Sequence, residues 1–239
     1  IKLKGDSRFH YLSFCKLMHR SVVLCDKLFV NSNFAKEDFK ISGIDSKKIQ
    51  VMNYGPGSFP EIFNCKEDYD HPFRILTVGN NSIVKGTGYL LLSWNKLDMK
   101  GAEMIIVGKH NRKLLEKFSG GKRFNYLGRV GYGLDKIYKD SSIFVLPSIG
   151  DGWGRSVMEA MCSGLPVIVS DRTGCSQIIE DGEHGFVVPF DDVEAISERI
   201  KYFYDNPTEV LRMGRNSRNL AEKNTWLNFS KELIEEVMN

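Results

Sequence analysis

Several common protein classes are excluded by what this chain lacks. No apolar run approaches the ~20 residues needed to cross a bilayer, and the amino end has neither the apolar centre nor the small-residue cleavage site of a secretory leader. The expected location is therefore cytoplasmic. Contact with the inner face of a membrane stays open through Lys2, Lys4, Lys16 and Arg20, although a solvated helix face is the commoner meaning of such residues. The five cysteines, Cys15, Cys25, Cys65, Cys162 and Cys175, are odd in number and show no paired metal spacing. They read as reduced, mostly buried thiols rather than a disulfide frame. The five histidines, His10, His19, His71, His110 and His184, offer no pair at helix-face spacing, so a zinc site is not expected. With 33 basic against 30 acidic residues the net charge is only +3, too small an excess to predict nucleic-acid binding. No repeat or low-complexity tract is present.

What the sequence does contain is an alternation of strand-like and helix-like segments. A chain of 239 residues can bury one good core plus a fragment of another. After a helix-like stretch from Phe14 to Leu24, the pattern predicts a short strand over Lys27 to Val30, a helix over Ala35 to Ile41 and a strand over Ile49 to Asn53. Tyr54-Gly55-Pro56-Gly57 and the polar stretch from Cys65 to His71 then read as an interdomain linker. From Phe73 onward the pattern is regular. Strands are expected at 74–78, 103–107, 124–127, from 143, and at 167–169 and 185–188. Helices are expected at 85–94, 112–118 and 134–139, with a short one at 175–179. Three helices close the chain, 193–204, 208–223 and 226–238, the last two opened by the start signals Pro207 and Thr225. Such alternation implies an α/β fold, a Rossmann-like parallel sheet with helices on both faces, because parallel strands need crossovers.

Chemistry concentrates between Asp151 and Ser170. The continuous apolar run Ile143-Phe144-Val145-Leu146-Pro147 reads as a buried parallel strand, so the glycines that follow lie at its carboxyl end, where open α/β sheets bind ligands. Gly152 and Gly154 let backbone approach a ligand closely, and the first N–H groups of the next helix lack internal partners. Asp151 and Glu159 stand eight positions apart. The first can accept from sugar hydroxyls, and the second can take both hydroxyls of a ribose with its two oxygens. Glycines and acids at this spacing are equally compatible with an ordinary crossover carrying a solvated Asp and a helical Glu.

The segment resembles the signature of the family 4 glycosyltransferases of GT-B fold, in which a Glu, Gly-Phe-Gly and a second Glu run on into Glu-Ala-Met-Ala-x-Gly-x-Pro-Val. Glu159, Ala160, Met161, Gly164, Pro166 and Val167 match, while Asp151 stands for the first acid and Trp153 for the Phe. The resemblance extends along the chain. Phe29-Val30-Asn31-Ser32 is similar to the end of the family's amino-terminal domain and Asn53-Tyr54-Gly55 to its crossing into the donor domain. Val78-Gly79-Asn80 with Lys85-Gly86 resembles the diphosphate loop, with Asn80 where the family has Arg. Leu127-Gly128-Arg129-Val130 is similar to the segment whose backbone holds the nucleotide base, and Leu134 with Tyr138 to the packing face of the helix after it. Gln177 stands where a Glu is common. The implied division is residues 1–57 as remnant of the amino-terminal domain and crossing, 58–223 as the donor-binding domain, and 224–239 as a helix crossing back, with Trp226, Phe229, Leu233 and Val237 as its apolar stripe.

The implied activity is transfer of a sugar, with retention, from a nucleotide diphosphate sugar (UDP-, GDP- or ADP-linked) to a glycan, lipid-linked or other hydroxyl acceptor, without a separate cofactor. Lys85 would neutralise the diphosphate, Asp151 orient the donor sugar and Glu159 hold the ribose. The donor contacts would come from Gly79, Asn80, Gly128, Arg129, Val130, Gly152, Trp153, Gly154, Arg155, Ser156 and Val157. The amides from Trp153 to Ser156 would hold sugar and phosphate oxygens, and Arg155 would either add charge near the phosphates or pair with Asp151. Family members carry a further amino-terminal domain across the cleft, which leaves three alternatives: the sequence is a piece of a longer chain, a partner chain or self-association completes the cleft, or nucleotides are bound without transfer. A noncatalytic nucleotide-sugar-binding subunit is the alternative, and a GT-B type UDP-sugar epimerase a weaker one.

Overall fold

The computed structural model of the chain describes residues 20–55, 72–81 and 83–238. The start of the helix expected from Phe14, the residues from Cys65 to His71 read as linker, and Lys2, Lys4 and Lys16 lie outside the described residues.

The amino-terminal part is small. Strands β1 (Leu28–Val30) and β2 (Ile49–Val51) pair in parallel, and helix α1 (Asn33–Ile41) connects them. Ser32 caps α1 by accepting from the Ala35 amide at 3.0 Å. Val30, Ile44 and Ile49 form its core, with Phe39 packed against them.

The described residues from 72 onward build one six-stranded sheet and its flanking helices. Its strands are β3 (Arg74–Val78), β4 (Glu103–Val107), β5 (Asn125–Gly128), β6 (Ile143–Leu146), β7 (Val167–Ser170) and β8 (Gly185–Val188), in the order β5-β4-β3-β6-β7-β8. Every neighbouring pair is parallel. The helices are α2 (Thr87–Lys96), α3 (Arg112–Phe118), α4 (Leu134–Lys139), α5 (Arg155–Cys162), α6 (Val193–Asp205), α7 (Pro207–Lys223) and α8 (Trp226–Met238), with a 3-10 turn at Gly174–Ile178 before β8.

The two-residue period of a strand divides the core. Ile143 and Val145 join Leu90, Leu91, Trp94, Ile196 and Ile200 on one face, whereas Phe144 and Leu146 join Tyr138, Val157, Met158 and Met161 on the other. All four residues of β6 are fully buried, which is why the run carries no polar residue. Burying one such side chain contributes roughly 1.5–3 kcal/mol relative to exposure.

The helical expectations differ from the structure at two informative places. The helix expected from Lys85 begins at Thr87, because Gly86 adopts a left-handed conformation with φ 63° as its cap. Lys85 therefore lies in the turn before the helix and not on its first turn. At the carboxyl end, Trp226 and Phe229 pack on Tyr54, with ring centroids 5.4 and 5.0 Å away, whereas Val237 of the expected stripe is 64% exposed. Lys27 donates to the Glu236 carbonyl at 3.1 Å and fixes the far end of α8 to the amino-terminal segment.

Candidate functional site

The strand order reverses between β3 and β6, and a doubly wound sheet opens a crevice at the carboxyl ends of two such strands. The loops that follow them are tied together. The Ile149 amide donates to the Val84 carbonyl at 2.9 Å, and a side chain at Gly86 would overlap the Pro147 carbonyl. A cleft of about 470 Å³ lies above, lined by Gly79, Asn80, Lys85, the turn from Asp151 to Ser156, and Glu159, with Asn31 and Tyr54 contributed by the amino-terminal segment.

Lys85 and Asp151, 66 residues apart, form an ion pair in this cleft through Nζ and Oδ2, with side chains 22% and 16% exposed. The other carboxylate oxygen turns back on its own loop and accepts from the Trp153 and Gly154 amides at 3.4 and 3.1 Å. These contacts correct two expectations. Asp151 pairs with Lys85 rather than with Arg155. The amides of Trp153 and Gly154 are satisfied internally, and the Val157 amide donates to the Gly154 carbonyl at 2.8 Å. Among the described residues the Gly152, Arg155 and Ser156 amides of this turn donate no hydrogen bond, and the last two lie at the start of α5, where the helix dipole adds positive potential. Val157 itself is fully buried in the core. So is the thiol of Cys175, which burial and the nearby Asp151 charge push up, leaving it inert.

Glu159 sits one turn further along α5. Its Oε2 accepts from the hydroxyl of Tyr138 on α4 at 3.0 Å, so one of the two oxygens expected to face a ribose is engaged by the protein. Burial pushes the Glu159 carboxyl above its ordinary value, while the Tyr138 hydrogen bond and the Arg155 charge pull in the opposite direction. Arg155 thus acts electrostatically on Glu159.

Asn80 has a structural task that its position in sequence did not suggest. Its Oδ1 accepts from the Lys109 amide at 2.7 Å and joins the loop after β3 to the loop after β4. Gly128 ends β5, and its carbonyl accepts from the Gly108 amide at 2.7 Å. Gly128, Arg129 and Val130 do not line the cleft.

Three contributors escaped the sequence reading. Tyr138 was legible only as a packing residue. Ser32 donates to the Gly152 carbonyl at 2.7 Å, and Gln177 accepts from the Asn33 amide at 2.8 Å while donating to Asn53 Oδ1 at 2.7 Å. Together these clamp the amino-terminal segment onto the Asp151 turn. The one available signal was the departure at position 177, where an amide can both donate and accept and a carboxylate can only accept.

Comparison with known proteins places the chain. The model of the family described as glycosyl transferases group 1 matches residues 58–220. An uncharacterized glycosyltransferase of Methanocaldococcus jannaschii is 27% identical over 229 residues, covering 88% of this chain and 59% of the relative. The capsular polysaccharide biosynthesis glycosyltransferase CapM of Staphylococcus aureus is 31% identical over 232 residues, covering 87% of this chain and 56% of the relative. The chain thus spans about half the length of the curated relatives it matches. Among solved structures, Anabaena HepE in complex with UDP and glucose superposes with a TM-score of 0.78 at 15% identity, covering 90% of this chain and 63% of that one. WaaG, a glycosyltransferase involved in lipopolysaccharide biosynthesis, gives a TM-score of 0.74 at 15% identity, over 87% and 61% respectively. These likenesses establish the fold as that of GT-B glycosyltransferases.

Proposed function

The chain belongs to the glycosyl transferases of group 1, and on that premise we propose that it forms the donor-binding half of a retaining, family 4 enzyme that moves a sugar from a nucleotide diphosphate sugar to an acceptor hydroxyl. The observation that carries this reading is the convergence of Lys85, Asp151 and Glu159 on one cleft at the reversal of strand order, beside the Arg155 and Ser156 amides. In this reading residues 58–223 are the donor domain, 1–57 the end of the acceptor-side domain with its crossing, and 224–239 a helix returning to it. A partner chain or further domain supplies the rest of the acceptor side.

The chemical demand is stabilisation of a departing diphosphate and an oxocarbenium-like sugar, which is mainly electrostatic preorganisation. Lys85 neutralises phosphate charge as a mobile ammonium, aided by Arg155 and the first amides of α5. Asp151 accepts from a hydroxyl of the donor sugar, and Glu159 accepts from the ribose. None of them acts as a covalent nucleophile. The acceptor is a glycan, a lipid-linked sugar or another hydroxyl.

A noncatalytic nucleotide-sugar-binding role is favoured by one feature, Asn80. The family's guanidinium is replaced by an amide whose oxygen is already held by the Lys109 backbone. Calorimetry with UDP, GDP and ADP, and with their sugar conjugates, tests the shared premise, beginning with UDP because HepE holds it. Binding of one of these nucleotides is expected, weakened at least about tenfold by Lys85→Met and by Glu159→Ala; absence of binding to all three refutes both readings. Turnover of the bound sugar nucleotide, with the anomer of the product read by NMR, then separates enzyme from binding subunit.

A further inference from the structure

Tyr138 is fully buried, yet its hydroxyl reaches the carboxylate that lines the cleft. The ring lies in the core, its centroid 6.0 Å from that of Phe144 on the central strand β6, so the phenol is held on the sheet rather than on a loop. The hydroxyl is 3.0 Å from Glu159 Oε2 and 3.2 Å from the Ser156 carbonyl. Its placement therefore registers α4 against the first turn of α5. Burial and the Glu159 charge push the phenol well above its ordinary value, so it remains an O–H donor throughout the neutral range.

We propose that Tyr138 is the positioning residue for ribose recognition: it holds Oε2 of Glu159, fixes the rotamer of that side chain, and leaves Oε1 to accept from a ribose hydroxyl. The proposal rests on the reading of Glu159 as the ribose-binding carboxylate. Two consequences follow from the chemistry. A Glu side chain has three rotatable bonds, and anchoring one oxygen from the core removes the freedom that ligand binding would otherwise have to freeze. The same hydrogen bond favours the ionised carboxylate, the acceptor form, against the burial that opposes it. Tyr138 thus acts on the ribose hydroxyls through Glu159 and not on the base, the diphosphate or the sugar.

The test compares UDP with its 2′,3′-dideoxy analogue by calorimetry on the whole chain, using the GDP or ADP pair if that base binds more tightly. The unsubstituted chain should prefer the ribonucleotide by about tenfold. Tyr138→Phe should cut that preference about threefold to tenfold while leaving affinity for the dideoxy analogue within twofold. In a Glu159→Gln background, where the charged acceptor is absent, the same substitution should change the preference less than twofold. Site-specific fluorotyrosine at position 138, a stronger donor of nearly the same shape, should raise the preference, and it provides the comparison should Tyr138→Phe fold poorly. Equal weakening of both nucleotides by Tyr138→Phe, or an unchanged preference in both variants, overturns the positioning role. Loss of discrimination in the unsubstituted chain instead overturns the ribose assignment of Glu159 and removes the basis of the proposal.

Discussion

Replacing Asp151 by Asn should tighten binding of a nucleoside diphosphate even as it removes sugar transfer. Lys85 is the cation proposed to meet the diphosphate, but its ammonium is already engaged by Asp151, and both side chains are mostly buried at 22% and 16% exposure. A diphosphate entering the cleft must draw Lys85 away from this partner and also lie near the Asp151 charge. Two unit charges about 6 Å apart interact by roughly 3 kcal/mol at an effective dielectric of about 20. Relaxation and the remaining solvent reduce that gross figure. Freeing Lys85 also removes a bond that the folded protein otherwise keeps. A net gain of about 1.4 kcal/mol, or roughly tenfold in Kd, is the expected size.

Asn is the informative replacement because it retains an Oδ1 acceptor for the Trp153 and Gly154 amides, which Asp151 now holds at 3.4 and 3.1 Å. The turn then keeps its shape while the charge disappears. Leaving Lys85 without its partner should destabilise the fold by about 1–3 kcal/mol, less than a fully buried widowed charge would cost. The assay is calorimetry with UDP and with its sugar conjugate, at two salt concentrations and after the folded state is verified by circular dichroism. Tightening should be greater at low salt, since screening weakens the interaction being relieved. The sugar conjugate should gain less than UDP, because the Asp151 contact to the sugar is lost. Unchanged or weaker UDP binding in a folded Asp151→Asn protein would refute the claim that the pair competes with the diphosphate.

Two further outcomes are expected. Gly86→Ala should lower stability by at least about 2 kcal/mol in urea titration, because the residue sits at φ 63° and an added methyl would overlap the Pro147 carbonyl; Gly101→Ala, at φ 77° with nothing within 4 Å, should cost only about 1 kcal/mol and serves as the control. Nucleotide affinity should fall on acidification at a pH above that of a free carboxylate: burial raises the folded-state pKa of Glu159, the ionised form is the acceptor, and protonation therefore removes binding as pH falls through the raised value. The groups facing Glu159 are Tyr138 from α4 and Arg155 on its own helix, with Lys85 and Asp151 in the same cleft, so Glu159→Gln should abolish most of this acid limb while Arg155→Gln should move it upward.

The elements were legible wherever local pattern and tertiary demand agree. Ile143 to Leu146 reads as a strand buried on both faces and is one, and Pro207 opens α7 because its missing N–H is not needed in the first turn. Gly86 is visible in the sequence as a glycine, but not as a cap that must lie against a carbonyl 61 residues away, so hydrophobic spacing alone starts α2 too early and carries Lys85 onto the helix. The candidate site residues were visible because Lys85 and Asp151 lie in two short loops and Glu159 lies on the helix α5 that follows the second. Their present partners were not, since the contacts Lys85 to Asp151, Tyr138 to Glu159 and Gln177 to Asn33 span 66, 21 and 144 residues.

Contacts within the protein, local and long-range, also change what the loops can offer a ligand. A glycine-rich turn before a helix suggests a row of open amides, but here Asp151 satisfies two of them and the Gly154 carbonyl a third. A carboxylate one turn into a helix suggests two acceptor oxygens, but Tyr138 holds one. An Asn in place of an Arg suggests a lost phosphate fork, but its oxygen joins two loops. Each of these groups has its geometry set before a ligand arrives, so little conformational freedom remains to be lost on binding. The exception is Lys85, whose long stem and exchangeable partner make it the part of the cleft that must rearrange. Donor affinity should therefore respond more to the charge at position 151 than to the exact length of the acid there.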